Sequence, residues 1–313
     1  MSPSCDRTSP HWDVRLPETI DHVTTAYSVL TTAAKRAGLD ATGGELIRDG
    51  SNVMYRLDSG IVARVGRPGT AETARREVLV SRWLTDCGLS VVQALRDVRQ
   101  AVVVDDRPVT WWALLPPHRP ATPAELGAVL RAFHALSAPE LPQLPQHDPF
   151  ANLDQRIIDA PGIDTDDRTW LCGHLAALRR NYQDITQDRP GEVMHGDAWQ
   201  GNVAVPEAGL PILLDLEVVS LGNREWDLIQ IAVDHTDFAR ITTDEYHSFV
   251  DAYGGYDVTT SPGYRTLADI QELRWVCFAL SKAQTRRDAA QQVRHRIACI
   301  RGKLPRPWSW DAL

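Results

Sequence analysis

The sequence predicts an α+β protein of two lobes, a small β-rich N-terminal lobe and a larger, mainly helical C-terminal lobe. Three observations carry that expectation. Short apolar runs broken by glycine-containing turns crowd into the chain before about residue 115. The segment LLPPHRPATP, Leu114 to Pro123, then places four prolines in ten residues and is read as unable to continue a strand or a helix. Beyond it, apolar residues recur mostly at helical spacing. The lobes are therefore expected at residues 1–115 and 116–313, and 313 residues are too many for one ordinary core.

Taken in order, the first residues, to about Leu16, are polar and read as loosely held. A helix is expected from about Thr19 to Gly38, where Ile20, Val23, Tyr27, Leu30 and Ala34 fall on one face. Val53–Leu57 and Ile61–Val65 flank Asp58-Ser59-Gly60, the pattern of a hairpin with a short glycine turn. Ala71–Leu84 is helical again. Val102–Val104 and Thr110–Leu115 complete a small sheet. After the hinge, Leu126, Val129, Leu130 and Phe133 recur at i, i+3, i+4 and i+7, an inward-facing helical stripe. Pro139–Pro149, with four prolines, is a loop. The remainder is helical apart from one hairpin, Val203–Val205 with Ile212–Leu214.

The totals exclude several classes. An apolar fraction of 43 % and a charged fraction of 24 % belong to a folded globular chain. A net charge of −8 argues against general nucleic-acid binding, which needs a basic footprint. An acidic surface suits a cationic substrate, although many soluble proteins are simply acidic. The cysteines Cys5, Cys87, Cys172, Cys277 and Cys299 are odd in number and form no CxxC pair, which indicates reduced thiols in a cytoplasmic setting. No basic-then-apolar leader opens the chain and no apolar run is long enough to span a bilayer.

The chemistry concentrates in MHGDAWQGNVAVPEAGLPILLDLE, Met194 to Glu217. Asp197 is followed five positions later by Asn202, and Asp215 ends an apolar strand. Phosphoryl transfer asks little of a protein beyond positioning, a carboxylate for the acceptor hydroxyl and hard oxygen ligands for magnesium. Asp197 suits the first role, Asn202 and Asp215 the second. The Asp197–Asn202 spacing matches the catalytic loop of protein kinases. Pairing of the two short strands returns Asp215 beside Asn202, where both could share one metal. Singly, Asp197 reads more readily as a helix cap or turn residue and Asp215 as a mere strand end; it is their joint pattern that points to the chemistry.

His195-Gly196-Asp197 with Asn202, then Leu214-Asp215-Leu216-Glu217, then Glu225-Trp226-Asp227-Leu228 together resemble the aminoglycoside phosphotransferase/choline kinase family. Upstream, Asp49-Gly50-Ser51-Asn52 with the following hairpin resembles the family's nucleotide-covering loop. Ala132-Phe133-His134-Ala135-Leu136 resembles its helix after the hinge. The resemblance implies a protein-kinase-like fold. It also implies Asp197 as catalytic base, Asn202 and Asp215 as magnesium ligands, His195 as a residue shaping the loop, and Asp227 as the residue tying that loop down. Glu217 would face the metal or the acceptor.

A fold of this kind needs a cation on its third strand, set by a helical glutamate, to meet the nucleotide phosphates. Arg64 stands where lysine is usual, and Glu77 is its expected partner. Arginine is not a neutral replacement, so the choice of ATP or GTP as donor stays open. Ser51 and Asn52 are candidates for phosphate contact, and backbone groups of Leu114 and Leu115 for contact with the base. On the acceptor side, Asp234, Asp237, Asp269 and Glu272 suggest an acidic cleft for an amine-bearing molecule. Trp275 and Phe278 read as core, and the tail with Trp308 and Trp310 as packing back on the C-terminal lobe.

The expected function is magnesium-dependent transfer of a nucleotide γ-phosphoryl to a hydroxyl of an antibiotic, amino sugar or amino alcohol. Antibiotic resistance and primary metabolism are both compatible with it. A protein kinase is disfavoured, since the loop reads HGD and no APE-like segment follows. The alternative is a catalytically silent, nucleotide-binding regulatory pseudokinase, suggested by Arg64 alone. Neither a nucleic-acid nor a membrane partner is expected, and the oligomeric state is open.

Overall fold

The computed structural model describes residues 18–187, 190–283 and 286–313. The polar N-terminal segment and Cys5 lie outside the described residues. The chain divides into two compact units, one of residues up to 78 with 94–114, the other of 79–93 with 115–313.

The first unit opens with α1 (Glu18–Ala37), followed by strands β1 (Glu45–Asp49), β2 (Val53–Leu57) and β3 (Ile61–Val65) and by the start of α2 (Ala71–Asp86). Strands β4 (Val102–Val104) and β5 (Arg107–Ala113) complete an antiparallel sheet of order β1-β2-β3-β5-β4. The β2–β3 hairpin closes at Leu57↔Ile61 around Asp58-Ser59-Gly60, and Gly60 takes φ +74°, which glycine adopts without strain. Alternation sets the faces: Val53, Tyr55 and Leu57 are buried while Arg56 is exposed. That inner face joins Val29, Leu30 and Ala33 of α1 and Trp111 of β5 in one apolar cluster.

In the second unit come β6 (His118–Pro120), α3 (Pro123–His134), α4 (Leu153–Ile158), α5 (Thr165–Thr186), β7 (Glu192–Met194), β8 (Val203–Pro206), β9 (Ile212–Leu213) and β10 (Ser220–Gly222). Helices α6 (Trp226–Thr236), α7 (Thr243–Tyr253), α8 (Tyr264–Lys282) and α9 (Arg287–Ile300) follow. Helix α3 starts at a full capping box in which Thr122 and Glu125 satisfy each other's backbone amides, with Pro123 at the first position. The hydrogen bond from Arg119 holds the Glu125 carboxyl down to about 2. Gly127 lets α3 press on α7, since a Cβ there would lie 2.5 Å from the Phe249 carbonyl oxygen. Buried Leu267, Ile270, Leu273, Val276 and Leu280 place α8 within the main core.

Two expectations need correction. The proline-rich hinge does carry a strand, because β6 is an edge strand pairing with β8 in the sheet β6-β8-β9. Proline is tolerated at an edge, where one side of the strand has no neighbour to serve. Residues 79–93, expected within the N-terminal lobe, cluster with the second unit. There Val92 N–H donates to the Leu213 carbonyl at 2.9 Å and Leu213 N–H to Ser90 at 3.0 Å. The tail packs back as read, with Trp308 and Trp310 buried in the main core. Cys87, Cys172, Cys277 and Cys299 are free thiols. No helix among the described residues is long and apolar enough to cross a membrane.

Candidate active site

Strand β7 delivers His195-Gly196-Asp197 from a buried start, Val193 and Met194. At Gly196 φ is +86°, and a Cβ would lie 2.8 Å from the Val218 carbonyl oxygen, so only glycine fits the turn. The turn is held from the core by Asp227 in the first turn of α6. Its Oδ2 accepts from the His195 amide at 2.6 Å and its Oδ1 from the Gly196 amide at 2.8 Å. His134 Nε2 donates to the same Oδ2 at 2.9 Å, and His134 Nδ1 meets the Tyr253 hydroxyl at 2.8 Å. Trp226 Nε1 adds a bond to the Gly196 carbonyl at 3.2 Å. Burial works to raise the Asp227 carboxyl, but the His134 hydrogen bond, the nearby imidazoles and the His195 amide outweigh it and hold the group below the usual range.

His195 Nε2 donates to the Leu214 carbonyl at 2.8 Å, which leaves Nδ1 to accept from the Asp197 amide at 3.4 Å. One imidazole thus ties the loop to the residue preceding Asp215. The Asn202 amide nitrogen donates to the Asp197 backbone carbonyl at 2.8 Å and to its Oδ2 at 3.2 Å. Across the β8–β9 hairpin, the Leu214 amide donates to the Asn202 carbonyl at 2.9 Å. Asp215 follows with φ 55°, a left-handed conformation that aspartate tolerates better than most residues. Asp197, Asn202 and Asp215 are therefore brought together.

The Asp197 side chain is open to solvent yet has protein atoms crowded around it. The resulting desolvation, with the charge of Asp215, pushes its carboxyl above the usual range against the pull of His195, Asn202 and Arg274. Arg274, on α8, went unnoticed in the sequence. It donates to the Pro149 carbonyl at 2.9 Å and lies over the Trp226 ring. His134 was also missed as the partner of Asp227, and Tyr253 as the partner of His134, since neither spacing nor composition links residues 93 and 119 positions apart.

In the sheet unit, Arg64 Nη1 reaches both Glu77 oxygens at 2.6 Å. The pair is sheltered, with side-chain exposures of 16 % and 3 %, and the guanidinium lies 5.5 Å from the Trp112 ring centroid. Ser51 and Asn52 sit in the turn joining β1 to β2. The Leu114 amide donates to the Gly60 carbonyl at 3.0 Å, so that donor is committed within the sheet unit. Leu115 begins the second unit.

A cavity of about 620 Å³ opens in the second unit. Its wall includes Trp199, Gln200 and Gly201, the stretch between Asp197 and Asn202, together with Trp275, Phe278 and Trp310. Gly201 passes so close to the Trp199 ring that a Cβ there would fall 2.1 Å from it, and a larger residue would displace that ring. Phe278, read as core, is 39 % exposed and lines this cavity. The acidic cleft does not form as read. Asp237 and Glu272 are buried and bound by Arg265 and Arg306, Asp269 pairs with Arg265, and Asp234 pairs with Arg240 at 2.7 Å.

A sequence model of the phosphotransferase enzyme family matches residues 44–270. The chain belongs to this family. It is a small-molecule kinase of the family's kind, and its similarity to solved structures is one of fold. The amicoumacin kinase hAmiN, solved with AMP-PNP, Ca²⁺ and amicoumacin, superposes with a TM-score of 0.69 at 15 % identity, over 91 % of this chain and 96 % of the other. A choline/ethanolamine kinase family protein from Mesorhizobium loti gives 0.64 at 16 %, over 91 % and 95 %. The choline kinase LicA from Streptococcus pneumoniae gives 0.62 at 15 %, over 87 % and 99 %. These likenesses establish the two-lobed, kinase-like α+β fold. No protein of curated function matches the chain by sequence.

Proposed function

We propose that the chain transfers the γ-phosphoryl group of ATP or GTP to a hydroxyl of a small molecule seated in the cavity beside residues 199–201. The observation that carries this reading is the Asp197–Asn202–Asp215 cluster on a loop anchored from the core by Asp227. In the proposed step the acceptor oxygen attacks the γ-phosphorus as the bond to the β–γ bridging oxygen breaks. The hydroxyl proton passes to the Asp197 carboxylate, and the nucleoside diphosphate leaves with the bridging oxygen.

The donor set fits magnesium. Asn202 gives its amide nitrogen to Asp197, which leaves Oδ1 as a neutral oxygen ligand, and Asp215 supplies a carboxylate next to it in the hairpin. When bound, the ion would supply charge neutralisation for the phosphates. Arg64, fixed by Glu77, is proposed to meet the α- and β-phosphates, with the β1–β2 turn at Ser51 and Asn52 covering them. The Leu114 carbonyl and the Leu115 backbone are the groups offered to the base. Asp227, through His195 and Gly196, keeps Asp197 in place and acts as a positioning residue.

The test is nucleoside diphosphate release, with ATP or GTP and magnesium, across hydroxylated acceptors. Acceptor-dependent release should fall by about 10³-fold or more in Asp197→Asn while nucleotide binding persists. Equal turnover in wild type and Asp197→Asn would overturn the assignment.

A further inference from the structure

We infer that the cavity beside residues 199–201 is built for an uncharged, ring-bearing acceptor and discriminates against polycations and quaternary amines; this rests on the reading of that cavity as the acceptor site. Its size comes first. About 620 Å³ lies within the roughly 300–1,000 Å³ that enclose a drug-sized ligand, far more than a simple amino alcohol fills. The walls come next. Trp199 and Phe278 are 42 % and 39 % exposed, in a unit that buries Trp308 and Trp310, so unburied aromatic surface is concentrated where a ligand would lie.

Aromatic walls also suit cations, and the charges decide between the two. Arg240 lies 5.7 Å from the Trp275 ring centroid, Arg296 5.1 Å from that of Trp310, and Lys282 Nζ 5.3 Å from that of Phe278. Three of the four aromatic walls are thus already engaged by a protein cation, and an incoming ammonium would meet like charge at each. Of the two aspartates that line the cavity, one is held by an arginine and the other accepts from a neutral amide. Asp234 is bound by Arg240 at 2.7 Å, and Asp311 Oδ2 accepts from Gln292 at 2.6 Å. Arg296, buried, spends its terminal nitrogens on the carbonyls of Trp275 and Asp311. Among the lining side chains, Arg240 and Arg296 match Asp234 and Asp311 in formal charge. A polyamine therefore finds no excess of negative charge, whereas flat rings find apolar faces and the loop supplies polar groups at Gln200.

Calorimetric binding without nucleotide tests this separately from catalysis. The probes are phlorizin (an uncharged aryl glucoside), choline and kanamycin, each at low and high salt. Phlorizin should bind about tenfold or more tightly than either cation, with little salt dependence, and Trp199→Ala with Phe278→Ala should weaken it about tenfold. Arg240→Gln, which uncovers Asp234 and the Trp275 face, should raise kanamycin affinity by about tenfold, an effect that mere loss of packing would not give. Kanamycin or choline binding more tightly than phlorizin, with affinity collapsing in high salt, would overturn the inference. So would the absence of phlorizin binding, or no gain for kanamycin in Arg240→Gln. Phosphorylation of a cationic acceptor under the Asp197→Asn control would sink this inference and leave the phosphotransferase reading standing.

Discussion

Asp227→Asn probes the anchor of the loop with almost no change of shape. The native carboxylate accepts from three buried donors: the amides of His195 and Gly196 and the Nε2 of His134. An asparagine has one acceptor oxygen at this end of the side chain. Whichever way its amide turns, its NH₂ faces either the His195 or the Gly196 N–H, and one backbone donor is left unpaired. A buried orphan donor costs about 1–3 kcal/mol. The bonds that remain lose their charge assistance, about 1 kcal/mol in total. The expected loss is therefore about 2–4 kcal/mol, a large share of the 5–15 kcal/mol typical of a folded domain, yet short of unfolding it. Urea denaturation gives the global figure. Hydrogen exchange over residues 192–198 gives the local one, and the amides of His195 and Gly196 should lose protection first. Combined with His134→Leu, the variant should show a coupling of about 1–2 kcal/mol, because both act on one network. A variant within about 0.5 kcal/mol of wild type, with unchanged exchange at 195 and 196, would refute the anchoring role.

Three further outcomes follow from the same geometry. Glu77→Ala, which takes a carboxylate away from the sheltered Arg64 guanidinium, should cost about 3 kcal/mol by denaturation. Thr122→Ala removes half of the α3 capping box and should lower stability by about 1 kcal/mol, read from the urea midpoint at constant slope. Burial pushes Glu272 up to about 9, with Asp237, Asp269, Arg265 and Arg306 around it, so the folded state holds a proton that the unfolded chain releases above about 4.5. Stability from this site should thus decline as pH rises from about 4.5 to 9, and Glu272→Gln should flatten that decline in melting temperatures taken across the window.

What the sequence made legible follows the reach of each interaction. The β2–β3 hairpin could be read because Val53, Tyr55 and Leu57 alternate with outward residues up to a glycine turn. Strand β1 could not be delimited, since all five of its residues are exposed and it carries no alternation. β7 and β10, three residues each, are too short for any period to register. Edge strand β6 was hidden by its prolines, whose penalty applies fully only where a strand has neighbours on both sides. Spacing sufficed to pick out Asp197, Asn202 and Asp215, because one hairpin brings them together. His134, Tyr253 and Arg274 reach the loop across tertiary contacts that no local pattern records. The acidic residues of α6 and α8 were visible as charges, but their arginine partners were not. That difference turns an apparent acidic cleft into a neutralised cluster.

Asp197 and Asp227 show why residue type alone could not assign the site. They lie 30 positions apart, are chemically identical, and are joined through the amides of His195 and Gly196. Asp227 is 1 % exposed and surrounded by donors, so its charge is fixed and its carboxyl is drawn below the usual range. Asp197 is open to solvent yet crowded by protein, and that desolvation, with the like charge of Asp215, pushes it the other way. A carboxylate saturated with hydrogen bonds has no basicity left to give, whereas one that is accessible and destabilised as an anion gains by taking a proton. Environments that drive two neighbouring carboxyls apart separate a structural anchor from a candidate base. The anchor also explains how an exposed aspartate can be held still: Asp227 binds its neighbours' backbone amides from the buried side, and Asn202 is the side chain that touches the Asp197 carboxylate, at Oδ2.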